Sequence, residues 1–189
     1  IAEACGRGGD DAGFRVVEAD GTASLAPAAG GPAIRPRTLD TILADHPFAR
    51  DADVLKIDTD GHDFAVICGA ERLLASRRPA VLFESAPFGD PGHVEECLGT
   101  LERLRRHGYR RILVYDNVGD LLGRHALDDL AAFRDLLFFQ VTADRLYYDV
   151  LAMQDEDLDD FHRREQAYFA GQARTGPLRR AAAAAAVRP

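Results

Sequence analysis

This chain of 189 residues predicts an α/β protein with a mainly parallel, Rossmann-like sheet, and three observations carry that expectation. Short apolar runs alternate with longer segments whose apolar residues recur at helical spacing, in the order β-α-β-α-β-α-β. Three successive runs end in acids or amides: Asp58 and Asp60, then Glu84, then Asp116 and Asn117. One of them, Ala80-Val81-Leu82-Phe83-Glu84, is apolar up to its last residue, as suits a strand buried on both faces of a parallel sheet. Right-handed crossovers would bring the three tips to one edge. Ligands of open α/β sheets bind there.

Taken in order, residues 1–36 carry little pattern. Phe14 to Ala19 reads as a strand turning at Asp20-Gly21, a hairpin dipeptide, and Ala26 to Pro36 reads as loop. Thr38 to Leu43 predicts a short helix with Thr38 or Asp40 as N-cap. Asp53 to Ile57 predicts the central strand. Gly61 turns the chain behind it, because a residue without Cβ tolerates positive φ. Phe64, Ile67, Cys68 and Leu74 mark a single helix from 64 to 74, with Asp63 favoured at its start by the macrodipole. Pro79 ends that segment, and the 80–84 strand follows.

Asp90-Pro91 predicts the N-cap and first position of a helix. Val94, Cys97, Leu98, Leu101 and Leu104 form its apolar face, and Gly108 closes it. Ile112 to Tyr115 predicts the next strand, Leu127 to Leu137 a helix and Tyr147 to Met153 the last strand. A charged helix from Asp155 to Phe169 precedes a hexa-alanine tail starting at Ala181.

Composition narrows the partners. At 47% hydrophobic and 29% charged residues the balance is that of a globular domain, and the net charge of −8 opposes a nucleic-acid backbone. No apolar run reaches the roughly 18 residues a membrane span needs. Cys5, Cys68 and Cys97 are scattered, which suggests a reducing, cytoplasmic setting with neither a disulfide framework nor a zinc site. Cys68 and Cys97 sit among apolar residues and are expected in the core. The chain opens on Ile1 and its only methionine is Met153, so it is expected to continue N-terminally in a longer protein. Lys56, inside the central motif, is the only lysine among 23 basic residues.

The tip D-T-D-G-H-D at 58–63 invites several chemistries. It fails as an EF-hand loop, whose sixth and twelfth places need Gly and Glu and here hold Asp63 and Gly69. It also resembles the Asp-x-Asp motif of haloacid-dehalogenase phosphatases, but those need a downstream lysine and none follows Lys56. His62 is a candidate general base by its near-neutral pKa, and equally a surface histidine at a helix start. Glu84, a carboxylate directly after four apolar strand residues, is costly unless paired or placed at the sheet edge.

Through these and neighbouring motifs the chain resembles the C-terminal part of the FkbM-type methyltransferases. The resemblance rests on T-L-D at 38–40, L-K-I-D-T-D-G at 55–61, V-I-C-G-A at 66–70 and P-A-V-L-F-E at 79–84, with V-Y-D-N-V-G and Y-Y-D-V-L-A further on. It implies a class I, Rossmann-like domain using S-adenosylmethionine, commonly to methylate a hydroxyl of a small molecule or sugar. Residues 1–153 would be a partial methyltransferase domain with an antiparallel last strand at one side, and 154–189 a C-terminal helix and alanine-rich tail. The glycine-rich cofactor motif of the family would precede Ile1; Gly6-Arg7-Gly8-Gly9 is no substitute. The resemblance makes Asp58, Asp60 and His62 the catalytic candidates and Glu84, Asp116 and Asn117 the substrate-binding candidates, with no metal required. Asp58 is expected to point into the crevice, so that Asp58→Asn would lower transfer by about 10²-fold. The alternative from another class is a non-catalytic binding module of the same fold.

Overall fold

The computed structural model describes residues 14–19, 22–27, 37–87, 89–143 and 147–172. β1 (Phe14–Ala19) pairs antiparallel with β2 (Thr22–Pro27) around the expected Asp20-Gly21 position, so Ala26 and Pro27 end a strand and do not begin a loop. That turn, Cys5, the Gly6–Gly9 stretch and the alanine tail lie outside the described residues.

α1 (Leu39–Asp45) starts where Thr38 caps it, the hydroxyl accepting the Thr41 N–H at 3.1 Å. Asp40 has a different task. Its carboxylate accepts the N–H groups of Arg72 and Leu73 at 2.7 and 3.1 Å, capping a helix some thirty residues away. That helix exists because the predicted 64–74 segment is broken. β3 (Val54–Lys56) leads to α2 (Asp63–Cys68), the chain turns at Gly69 and Ala70, and α3 (Glu71–Ser76) begins afresh. The break leaves free N–H groups at the start of α3, and Asp40 satisfies them.

β4 (Ala80–Ser85) is followed by α4 (His93–Arg106), whose start lies later than Asp90-Pro91. Asp90 instead accepts the Gly92 N–H at 2.8 Å in the preceding turn. β5 (Arg111–Asp116) turns into β6 (Leu121–Ala126), a strand with no clear apolar signal. α5 (Ala131–Ala143), β7 (Tyr148–Ala152) and α6 (Asp155–Gln172) complete the chain.

The main sheet has five strands in the order β3-β4-β7-β5-β6. Only β3 and β4 pair in parallel; β4–β7, β7–β5 and β5–β6 are antiparallel. The expectation of a mainly parallel sheet is thereby corrected. So is that of a last strand at one side: β7 is inserted between β4 and β5, hydrogen-bonded on both flanks, with Tyr148, Val150 and Ala152 buried. Because β4 and β5 both oppose β7, they point the same way as each other and as β3. The tips of all three therefore share one edge.

Alternation along the strands divides the core. Val81, Phe83, Ile112, Val114, Val150 and Ala152 belong to one cluster with α2, α4 and α5. Leu113 faces away from it and is buried on the side of α6, as is Leu158 of that helix. Arg111 binds the carboxylates of Asp155 and Asp159 and anchors α6 to β5, so helices cover both faces. Cys97 is buried as expected, whereas Cys68 is exposed at the end of α2.

The turn after β3 is the tightest point near the strand tips. Asp60 and Gly61 have φ of 48° and 94°, both left-handed. Gly61→Ala is expected to lower stability by about 1–2 kcal/mol, since Cβ crowds the backbone there, measured as a shift in urea midpoint. An unchanged midpoint would mean that the turn can relax.

Candidate active site at the strand tips

The cleft at this edge, of about 180 Å³, is lined by Asp60, Gly61, Asp63 and Phe64 after β3, by Glu84, Ala86 and Pro87 after β4, and by Asp90, His93 and Glu96 around the start of α4. Its rim is held by a residue that the sequence marks only as a helix start. Asp63 is 2% exposed. One carboxylate oxygen accepts the Glu84 N–H at 3.0 Å; the other accepts the Thr59 N–H at 3.2 Å and the Thr59 hydroxyl at 2.8 Å. The acid thus staples the β3 turn to the tip of β4. Asp63 also stands in the first turn of α2, where it is expected.

Glu84 is an acid with strongly altered chemistry. It sits half-buried in the strand, directly opposite Asp149 of β7. Burial, and then the charges of Asp63, Asp58, Asp149 and Asp60, raise its pKa to about 7. Burial also raises Asp149, against the pull of Lys56. Like charges directly across a sheet are destabilising, and perturbed carboxyls of this kind gather at functional sites. Asp149 is a residue that the sequence analysis missed. Its signal was a lone charge inside the apolar run Tyr148 to Ala152.

The remaining candidates are placed less centrally. Asp58 does not enter the cleft: its side chain is 58% exposed and bound to Lys56 Nζ at 2.6 Å. Strand β3 ends at Lys56, so Asp58 already lies on the solvent side of the turn. Asp60 lines the cleft from its left-handed position. His62 precedes α2 at its N-cap position without capping it through its side chain. Asp116 accepts the N–H groups of Val118 and Asp120 at 3.0 and 2.9 Å, which shapes the β5–β6 turn. The Asn117 carbonyl accepts from the Tyr147 hydroxyl at 3.4 Å. Neither Asp116 nor Asn117 lines the cleft, because β7 stands between their strand and β4. Among the described residues no group of acids, histidines and cysteines is arranged to hold a metal ion, and no helix is long and apolar enough to cross a membrane.

An α/β sheet that gathers carboxylates at the carboxyl ends of its co-directional strands is the class of protein that this fold and its cleft define. Within that class the chain belongs to the FkbM methyltransferase family: the model of the Methyltransferase FkbM domain matches residues 11–111. The match includes the T-L-D capping residues, the β3 tip and Glu84. No curated protein and no solved structure matches the chain.

Proposed function

We propose that this domain acts in S-adenosylmethionine-dependent methylation of a hydroxyl on a small molecule or sugar, with Glu84 as the general base. The observation that carries the reading is the position of Glu84: it lines the cleft at the shared sheet edge, opposite Asp149, with a pKa of about 7. A base works best when its pKa lies near the working pH, because it is then both available and strong.

The acids at this edge suit the cationic sulfonium end of the cofactor. Asp60 and Glu84 line the cleft, and Asp58 and Asp149 lie close enough to Glu84 to raise its pKa. When bound, the cofactor supplies an electrophilic methyl group. The chain's own residues do the rest. Phe64 and Pro87 give the cleft apolar walls, Asp63 fixes the Glu84 backbone, and the Glu84 carboxylate accepts the hydroxyl proton.

The test is transfer of tritium-labelled methyl from S-adenosylmethionine to methyl glucoside, inositol and glycerol by the purified protein. The expected product is a base-stable ether, and the rate should fall as the pH drops below about 7, where Glu84 holds its proton. No transfer to any of these hydroxyls, with label passing instead to a carboxylate or an amine offered in the same assay, would overturn the hydroxyl assignment.

Asp58→Asn provides a second check. The exposed charge is screened by water, so the expected loss at pH 8 is less than about tenfold, well below the effect expected from the sequence. Removing one of the charges that raise Glu84 should move the acid limb of the profile to lower pH. An unshifted limb would separate the two acids.

A further inference from the structure

Behind the cleft lies a buried polar network that proton removal by Glu84 does not use. Ser85 ends β4, His93 opens α4 with Cys97 one turn later, and Gln140 comes from α5; all four are buried. His93 Nε2 is 3.1 Å from Ser85 Oγ and 3.0 Å from Gln140 Oε1. Ser85 Oγ is 3.6 Å from Cys97 Sγ, and the Gln140 amide nitrogen donates to the Ser85 carbonyl oxygen.

These contacts locate the protons. The Ser85 carbonyl can only accept, which turns the Gln140 nitrogen toward it and the amide oxygen toward His93. An amide oxygen can only accept as well, so Nε2 must carry the hydrogen. Burial lowers the imidazole pKa and outweighs the opposing influence of Gln140, Asp90 and Glu96. A neutral ring protonated at Nε2 has an unprotonated Nδ1. His93 lines the cleft with Glu84, and its ring lies against Phe64, centroids 5.5 Å apart, while its Nε2 is turned to the buried Ser85 and Gln140.

We propose that His93 is a substrate-binding residue of this cleft, whose Nδ1 accepts a hydrogen bond from a second hydroxyl beside the reacting one, and that Gln140 and Ser85 are positioning residues that lock the tautomer. The substrate class is then a polyhydroxylated acceptor such as a diol or sugar ring, with one hydroxyl facing Glu84 and its neighbour facing His93. This rests on the hydroxyl-acceptor reading above.

The test is nitrogen NMR of the 15N-labelled protein, with methyl glucoside as the probe. In the free protein the His93 Nδ1 signal is expected in the unprotonated imidazole range and Nε2 in the protonated range. Adding methyl glucoside should move Nδ1 toward the hydrogen-bonded range. Gln140→Leu removes the acceptor that fixes Nε2–H and should give a mixed tautomer. His93→Gln keeps a donor near the Nε2 position but lacks Nδ1, and should weaken probe binding by roughly tenfold, one hydrogen bond's worth, with an unchanged melting curve.

A protonated Nδ1 in the free protein, an Nδ1 signal that the probe leaves unmoved, or a tautomer indifferent to Gln140→Leu overturns the proposal. Should His93→Gln unfold, the unsubstituted protein still decides through its own spectra. Absent methyl transfer with the tautomer and probe shift intact would instead count against the methyltransferase reading alone.

Discussion

Glu84→Gln is expected to lower methyl transfer by about 10²- to 10⁴-fold, the range for loss of a general base, while raising thermal stability at pH 8. Both effects have one origin. In the folded chain, burial and four neighbouring carboxylates raise Glu84 from an ordinary 4.5 to about 7. Between those values the folded protein holds a proton that the unfolded chain has released, so stability is full below about 4.5 and declines as the pH rises through 7. Glutamine keeps the shape and cannot ionise. The variant should therefore match the parent at pH 4.5 and exceed it at pH 8, by on the order of 1 kcal/mol once solvent screening of this half-exposed group is allowed for. Paired melting curves and transfer rates at the two pH values measure this. A variant that is inactive and destabilised at pH 8 would make Glu84 a structural acid.

Asp63→Asn is expected to destabilise the fold by about 3 kcal/mol, although the change looks conservative. The carboxylate accepts from three donors, Glu84 N–H, Thr59 N–H and Thr59 hydroxyl, at a site 2% exposed. An amide retains one acceptor oxygen and turns an NH₂ toward the donors that the other oxygen served. Charge-assisted hydrogen bonds contribute roughly 1.5–3 kcal/mol each, and leaving a buried donor unpaired adds its desolvation. Activity should fall with stability, because the same bonds set the distance between the β3 turn and the tip of β4. Urea denaturation gives the magnitude. A loss below about 1 kcal/mol would return Asp63 to the role of a helix-terminus acid.

What the sequence determined by itself was local and periodic. The apolar runs ending at Lys56, Glu84 and Asp116 are strands, the apolar face from Val94 to Leu104 belongs to a helix, and Thr38 caps the helix it precedes. These follow from spacing of two or of 3.6 residues and from capping chemistry, which act within a turn of the chain. The family motifs, T-L-D and the L-K-I-D-T-D-G tip, were likewise contiguous and legible. Only the tertiary structure decided that β7 enters between β4 and β5, since both its flanks are satisfied by strands distant in sequence. It alone set Glu84 opposite Asp149, gave Asp40 and Asp63 their remote N–H partners and left Asp58 in solvent beside Lys56. A carboxylate's role depends on which donors and charges surround it in space. Those neighbours came from segments 21 to 33 residues away for Asp63 and Asp40, beyond the reach of any local pattern.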